Sequence, residues 1–100
     1  MDKYSVKLLP KAYEDIDKIY RYISEILMES KAAESNVNCI EEAIIGLENF
    51  PYRGAKRKVG VYANGGYRQL FAKNFTVIYK VNEKMKCVIV VTVKYSPSCF

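Results

Sequence analysis

The sequence predicts an α+β domain with the element order β-α-α-β-β-β, in which a hairpin of two helices packs on one face of a twisted antiparallel sheet. Apolar residues recur at helical spacing through most of the first half of the chain. The second half ends with three β-branched or aromatic stretches that short turns separate. The chain has 100 residues and is 50% hydrophobic, which suffices for one modest core. We therefore expect a single domain over residues 1–100.

The chain is expected to begin with a strand over residues 3–9, where Tyr4, Val6 and Leu8 alternate loosely with other residues. A helix follows from Pro10, because proline lacks the N–H that would have no partner in a first helical turn. Apolar side chains then recur at steps of three and four, namely Ala12, Ile16, Ile19, Tyr20, Ile23, Ile26 and Leu27. This spacing predicts a helix with one buried stripe.

A second helix is predicted between Ser30, a candidate N-cap, and Pro51, which ends the run. Its apolar stripe consists of Ala33, Val37, Ile40, Ala43, Ile44 and Leu47. The aromatic side chains of Tyr20 and Phe50 lie beside the two stripes and are expected in the core. Because the connection is short, the two helices should form an antiparallel hairpin.

Residues 52–66 contain four glycines and a basic cluster, which predicts a flexible basic loop. Three strands are expected after it, at about 67–72, 75–81 and 86–95. The last contains CVIVVTV, which is apolar on both faces and β-branched. We therefore expect it inside the sheet.

Strand register places Arg68 opposite Tyr79 if the first hairpin turns at Lys73-Asn74. If the second hairpin turns at Glu83-Lys84, Val88 opposes Tyr79, and alternation puts Lys94 on the same face at the far end. Two interpretations of Arg68 then stay open. It either lies at the rim of the sheet and stacks on Tyr79, or it contacts a partner.

Charge is divided between the two halves of the chain. Residues 1–51 carry a net charge of −4, whereas residues 52–100 carry +9 and contain one acidic residue, Glu83. This asymmetry suggests that one face meets a polyanion, either nucleic acid or an acidic protein segment; the alternative is a solvated basic surface.

Several site chemistries are excluded by composition. Histidine is absent, which removes Ser-His-Asp and Cys-His catalysis and histidine-ligated metals. The three cysteines are widely spaced and form no paired motif, so we expect reduced thiols, no metal site and no cofactor. The longest apolar run is five residues, Cys87 to Val91, and the N-terminus is charged. We therefore expect a cytoplasmic protein without a membrane segment.

Four segments resemble the RelE/ParE superfamily of bacterial type II toxin–antitoxin toxins. They are YSVKLLPKAYEDIDKIYRYI, AIIGLENFPYRG, GYRQLFAKNFTVIYKV and VIVVTVKYSP. The order and spacing of all four carry the resemblance. It implies a small toxin of β-α-α-β-β-β fold and a cognate antitoxin that wraps around it, giving a toxin–antitoxin hetero-oligomer.

Within this superfamily two modes of action stay open. The resemblance implies that ribosome-dependent mRNA endoribonucleases carry an arginine where this chain has Thr76. It also implies that they carry basic residues after the last strand, where this chain reads Tyr95-Ser96-Pro97-Ser98-Cys99-Phe100. Both departures weaken a ribonuclease assignment. The missing arginine and the absence of histidine favour a poison that binds a protein target such as DNA gyrase, as the ParE branch does, while the basic second half stays compatible with RNA cleavage. A third possibility is a degenerate toxin that binds only its antitoxin.

The candidate site residues follow from these alternatives. Cleavage of RNA requires a base, positive charge on the phosphate and an acid for the leaving oxygen. Arg68 could supply charge and Tyr95 a proton, but no residue is an evident base. The candidates for binding a target or antitoxin are Arg53, Lys56, Arg57, Lys58, Arg68, Tyr79 and Lys94.

Overall fold

The computed structural model describes residues 3–58, 62–63 and 65–95, and it confirms the α+β architecture with one further, short strand. The strands are β1 (Ser5–Leu8), β2 (Ala55–Lys56), β3 (Arg68–Ala72), β4 (Phe75–Asn82) and β5 (Cys87–Tyr95). The helices are α1 (Pro10–Arg21) and α2 (Ser30–Ile45), extended by a π-helical turn (Tyr22–Ile26) and a 3-10 turn (Gly46–Glu48), respectively. Among the described residues, no helix is both long and apolar enough to cross a lipid bilayer.

The first helix buries the predicted stripe only in part. Ala12 and Ile23 are buried, and Ile16 and Ile19 pack half-buried against the core. The prediction was wrong for three members of the stripe, which are exposed, namely Tyr20, Ile26 and Leu27. The π-helical turn explains the last two, because its wider i to i+5 hydrogen bonding rotates side chains away from the 3.6-residue period.

The second helix follows its predicted stripe more closely. Ala33, Ile40, Ile44 and Leu47 are buried, and Val37 and Ala43 are half-buried. Two details differ from the prediction. Ser30 is the first helical residue, and the preceding Glu29 occupies the cap position without a side-chain hydrogen bond. Phe50 is exposed, because the 3-10 turn ends the helix before it and directs the chain away from the core.

The five strands form one mixed sheet in the order β1-β5-β4-β3-β2. β5 lies inside the sheet, as predicted. Neighbouring strands from β2 to β5 pair in antiparallel fashion, as predicted. The prediction of a wholly antiparallel sheet was wrong for β1, which pairs with β5 in parallel, with Val6 opposite Val88. The two helices cover one side of this sheet, and we call the opposite side the outer face.

The register of the first hairpin is confirmed, with Arg68 opposite Tyr79. The register of the second hairpin was wrong by two residues, since Tyr79 opposes Val90. The predicted two-residue turn is a four-residue turn between the paired residues Asn82 and Cys87.

A register shift between β4 and β5 beside Tyr79 changes which face Lys94 occupies. After the shift Lys94 opposes Thr76, while its neighbours Val93 and Tyr95 lie on the helix side. Lys94 therefore projects from the outer face and does not share a face with Arg68, contrary to the prediction. A bulge adds one residue to a strand, and side-chain alternation reverses beyond it.

Asp15 of α1 satisfies polar groups of β5 beside this irregularity. Its carboxylate accepts hydrogen bonds from the Thr92 hydroxyl and from the Val93 N–H, the latter at 3.2 Å. Burial acts to raise the carboxyl pKa, but the hydrogen bonds from Thr92, Val93 and Lys11 together hold the pKa of Asp15 below its usual 3.8. This charged contact joins the first helix to the sheet.

Candidate functional site

The predicted binding residues divide between the two faces of the sheet. Side chains alternate along a strand, so Arg68 and Tyr79, which oppose each other, share the helix side. Arg57 continues the β2–β3 pairing, since its N–H donates to the Tyr67 carbonyl at 2.8 Å. Its side chain meets Gln69 on the outer face, where Lys94 also lies. The set therefore does not form one continuous site.

Tyr79 is a core residue, which corrects its assignment as a contact for a partner. It is fully buried. Its hydroxyl accepts a hydrogen bond of 2.9 Å from the Gly54 N–H. Alternation along β4 correctly predicted that Tyr79 shares a face with Arg68. Other segments of the same chain, including the turn at Gly54, cover that face and leave the ring no access to a partner.

Arg68 anchors the turn that precedes β2. Its Nε donates to the Gly54 carbonyl at 2.9 Å and its Nη2 to the Tyr52 carbonyl at 3.2 Å. Its guanidinium lies 5.2 Å from the centre of the Tyr52 ring. The predicted stacking partner, Tyr79, was wrong, because Tyr79 is buried and the turn places Tyr52 over the guanidinium instead.

Gly54 lets this turn approach the sheet. A Cβ at Gly54 would lie 2.4 Å from the Gln69 carbonyl oxygen and 2.6 Å from the Tyr79 hydroxyl, closer than atoms can come. Glycine therefore permits the close approach in which the turn forms its hydrogen bonds with Tyr79 and Arg68. We call Tyr52, Arg53, Gly54 and Arg68 the edge cluster.

Two residues of this region were missed at the sequence level. The Tyr52 hydroxyl donates a hydrogen bond to Glu83 in the turn between β4 and β5, which raises the pKa of Tyr52 to about 12. The available signal was the position of Glu83 as the one acidic residue in the basic half. The contact spans 31 positions, so spacing within the chain did not indicate it.

The predicted flexible loop is partly ordered along the sheet edge. Ala55 and Lys56 form β2 on β3, with Lys56 opposite Arg68. Arg53, Lys56 and Lys58 are exposed around this edge. Residues 59–61 and 64 of the loop lie outside the described residues.

The outer face carries a connected row of cations and aromatic rings. The Lys80 ammonium lies 5.2 Å from the centre of the Tyr67 ring, and the Lys94 ammonium lies 5.4 Å from that of Tyr62. The two rings contact each other edge to face, with centres 5.1 Å apart. We call Lys80, Tyr67, Tyr62 and Lys94 the outer-face row. Arg57 lies beyond Tyr67, with its guanidinium donating to the Gln69 side chain at 2.6 Å.

Tyr95 lies on the helix side, at the end of the sheet away from Arg68. Its ring packs 5.6 Å from that of Phe75 and is 63% exposed. Both rings line an apolar cavity of about 490 Å³ beneath the tip of the helix hairpin, together with Ile19, Tyr22 and Leu27. The segment Ser96–Phe100, part of the predicted departure from the superfamily, lies outside the described residues.

No metal site is formed by the described part of the chain. None of its groups of three or more Cys, Asp or Glu side chains is arranged to hold an ion. What the described surfaces offer is positive charge, aromatic rings and an apolar cavity, and these features suit the binding of macromolecules.

Comparison with known proteins relates this chain to the toxins of toxin-antitoxin systems. Residues 6–96 match the family described as ParE toxin of type II toxin-antitoxin system, parDE. A chain of the chromosomal ParDE system from Pseudomonas aeruginosa is 24% identical with a TM-score of 0.77, covering 96% of this chain and 99% of that chain. No curated protein sequence matches the chain.

Two further solved structures share the fold at lower identity. A chain of the RelBE2 toxin-antitoxin complex from Mycobacterium tuberculosis is 16% identical, with a TM-score of 0.67 and coverage of 93% of this chain and 98% of that one. A chain of the archaeal RelE-RelB complex from Pyrococcus horikoshii is 17% identical, with a TM-score of 0.64 and coverage of 98% and 99%. Since the family match spans nearly the whole chain, the protein belongs to the ParE toxin family of type II toxin–antitoxin systems.

Proposed function

We propose that this toxin inhibits growth by binding a protein target, DNA gyrase, rather than by cleaving mRNA on the ribosome. The observation that supports the proposal most strongly is the separation of the two candidate catalytic residues, Arg68 and Tyr95. The family match, which names ParE, agrees with it.

Arg68 and Tyr95 are too far apart to act on one phosphate. Arg68 pairs with Tyr79, and Tyr95 pairs with Phe75, four residues further along β4. That offset is about 13 Å of strand rise, and two strand spacings add to it. A general acid must reach the leaving oxygen within about 3 Å while the cation contacts the same phosphate.

The second requirement of RNA cleavage, a base that activates the 2′-hydroxyl, also lacks a candidate near the edge cluster among the residues that the structure describes. Histidine is absent from the chain. The carboxylate of Glu83 is engaged by the Tyr52 hydroxyl. Thr76, where the resemblance implies arginine in mRNA-cleaving toxins, is 1% exposed and uncharged. These features support binding without chemistry.

The direct test compares two activities of the same purified toxin. We expect it to inhibit supercoiling by gyrase at concentrations that leave mRNA on translating ribosomes intact. Mapping of mRNA ends after induction in cells should show no new cleavage sites, while a DNA-damage reporter should respond. Codon-specific mRNA cleavage without gyrase inhibition would refute the proposal, and loss of both activities with antitoxin binding retained would indicate a degenerate toxin.

We also propose a cognate antitoxin as the partner of this chain in a hetero-oligomer. The structural neighbours come from toxin–antitoxin complexes. The basic second half, with a net charge of +9, suits an acidic, amphipathic segment that folds on binding. Co-expression with the adjacent reading frame should yield a complex whose affinity falls as salt rises. An unchanged affinity after removal of the partner's acidic segment would contradict this mode of binding.

A further inference from the structure

The outer-face row holds two ammonium groups in defined positions. Each lies over a tyrosine ring, and the two rings support each other. Lys80 lies four residues along β4 from Thr76, which opposes Lys94, so the two lysine backbones are separated by about 13 Å along the strands. Duplex DNA carries one charge per about 1.7 Å of its axis, so several phosphates fall within that length.

The charge distribution favours a polyanion on this face. None of the strands in the described part of the chain contains Asp or Glu. Residues 10–48, which include both helices, carry nine Asp or Glu and four Lys or Arg. The molecule is therefore positive on the sheet side and negative on the helix side, and its field orients an approaching polyanion toward the sheet.

The geometry of the row favours phosphates over bases. Lysine ammonium groups lie over the faces of Tyr62 and Tyr67, and the edge-to-face contact covers part of the remaining ring surface. Stacking on unpaired bases needs open ring faces. Ammonium and phenol groups instead donate hydrogen bonds to phosphate oxygens without reading sequence.

An acidic amphipathic segment, such as the one proposed for the antitoxin, suits the outer face less well than it suits the edge cluster, which is also basic. Such a segment needs an apolar groove for its hydrophobic side chains. The apolar cavity lined by Ile19 and Phe75 lies on the helix side of the sheet, whereas the cavity beside Lys80 on the outer face has charged and polar side chains in its lining. On the outer face the strand residues next to the row, Ile89 and Val91, are half-buried.

We propose that the outer-face row, with Arg57 beside it, binds the phosphate backbone of duplex DNA independently of sequence. This binding goes beyond the proposed function: a toxin bound to gyrase would also contact the DNA that gyrase holds. It is measured without gyrase, so failure of DNA binding and failure of gyrase inhibition are distinguishable.

The test measures fluorescence anisotropy of a labelled mixed-sequence duplex of about 20 base pairs, titrated with the full-length toxin at several salt concentrations. The variant is Lys80→Ala/Lys94→Ala. The matched control, Lys18→Ala/Lys31→Ala, removes the same charge from exposed positions on α1 and α2, on the helix side of the sheet. Thermal melts confirm that both variants fold.

We expect the wild-type toxin to bind with log affinity that falls linearly with log salt. The row variant should lose at least tenfold in affinity at low salt, and its salt slope should be smaller by about 1 for each lysine removed. The control should stay within about twofold of wild type, since its lysines lie away from the row. Equal losses in the two variants would overturn the proposal, because net charge would then account for binding.

Discussion

The buried hydroxyl of Tyr79 accepts a hydrogen bond of 2.9 Å from the Gly54 N–H, joining the centre of the sheet to the turn that leads into the edge strand. Arg68 holds the same turn from outside through the Gly54 and Tyr52 carbonyls. The position of the edge cluster therefore depends on one residue, Gly54, that has no side chain.

Gly54→Ala should destabilise the fold by about 1–3 kcal/mol, the usual cost of overpacking, because the new methyl group meets a backbone carbonyl that cannot move independently. Urea denaturation measures the loss. Gly46→Ala is the matched control: its Cβ would lie 3.0 Å from the mobile end of Arg53, and its backbone is helical. It should be neutral or slightly stabilising. Equal stability of the two variants would contradict the close approach at Gly54.

Arg68→Lys and Arg68→Ala should both weaken binding of the target or antitoxin by about 1–3 kcal/mol, the range for hydrogen bonds to charged groups. Lysine keeps the charge but lacks the planar fork that spans two carbonyls and presents further N–H groups. Titration calorimetry with the antitoxin measures the affinity, and melting curves show whether the fold is intact. Unchanged affinity and gyrase inhibition in both variants would mean that Arg68 only anchors the turn.

Ile44→Ala should abolish toxicity through instability, since removing a buried isoleucine side chain costs about 2–5 kcal/mol. Ile19→Ala should act in the same direction with a smaller loss, because Ile19 is half-buried. Ile45→Ala, adjacent on α2 but 58% exposed, should change stability by less than about 0.5 kcal/mol. A variant at Ile44 that melts normally yet is not toxic would show that this residue contacts a target instead.

Asp15 should make stability depend on pH. Its folded-state pKa is depressed, so its contribution is fully present above its ordinary pKa of 3.8 and is lost as pH falls through the lower folded-state value. The difference in unfolding free energy between wild type and Asp15→Asn should therefore be largest near neutral pH and shrink in acid. Asp17→Asn, which alters an exposed ion pair with Arg21, should show little such dependence. Urea titrations across pH measure both differences, and a constant difference at Asp15 would refute its role.

Local patterns in the sequence determined the elements and much of the core. The stripes of both helices are read from spacing within one element, so Ala12, Ile40 and Ile44 were placed correctly. The register of Arg68 and Tyr79 was equally accessible, because a two-residue turn at Lys73-Asn74 sets it locally. The basic second half follows from composition alone.

Tertiary structure decided where the charged side chains act. The shift in β5 depends on how that strand packs between β4 and α1, and it moves Lys94 to the outer face. The partner of Arg68 depends on a turn 14 residues away, which brings Tyr52 and Gly54 to the sheet edge while Tyr79 is covered. Such contacts join segments that are distant in the chain, and no periodicity within a single element encodes them, so the division into edge cluster and outer-face row exists only in the folded molecule.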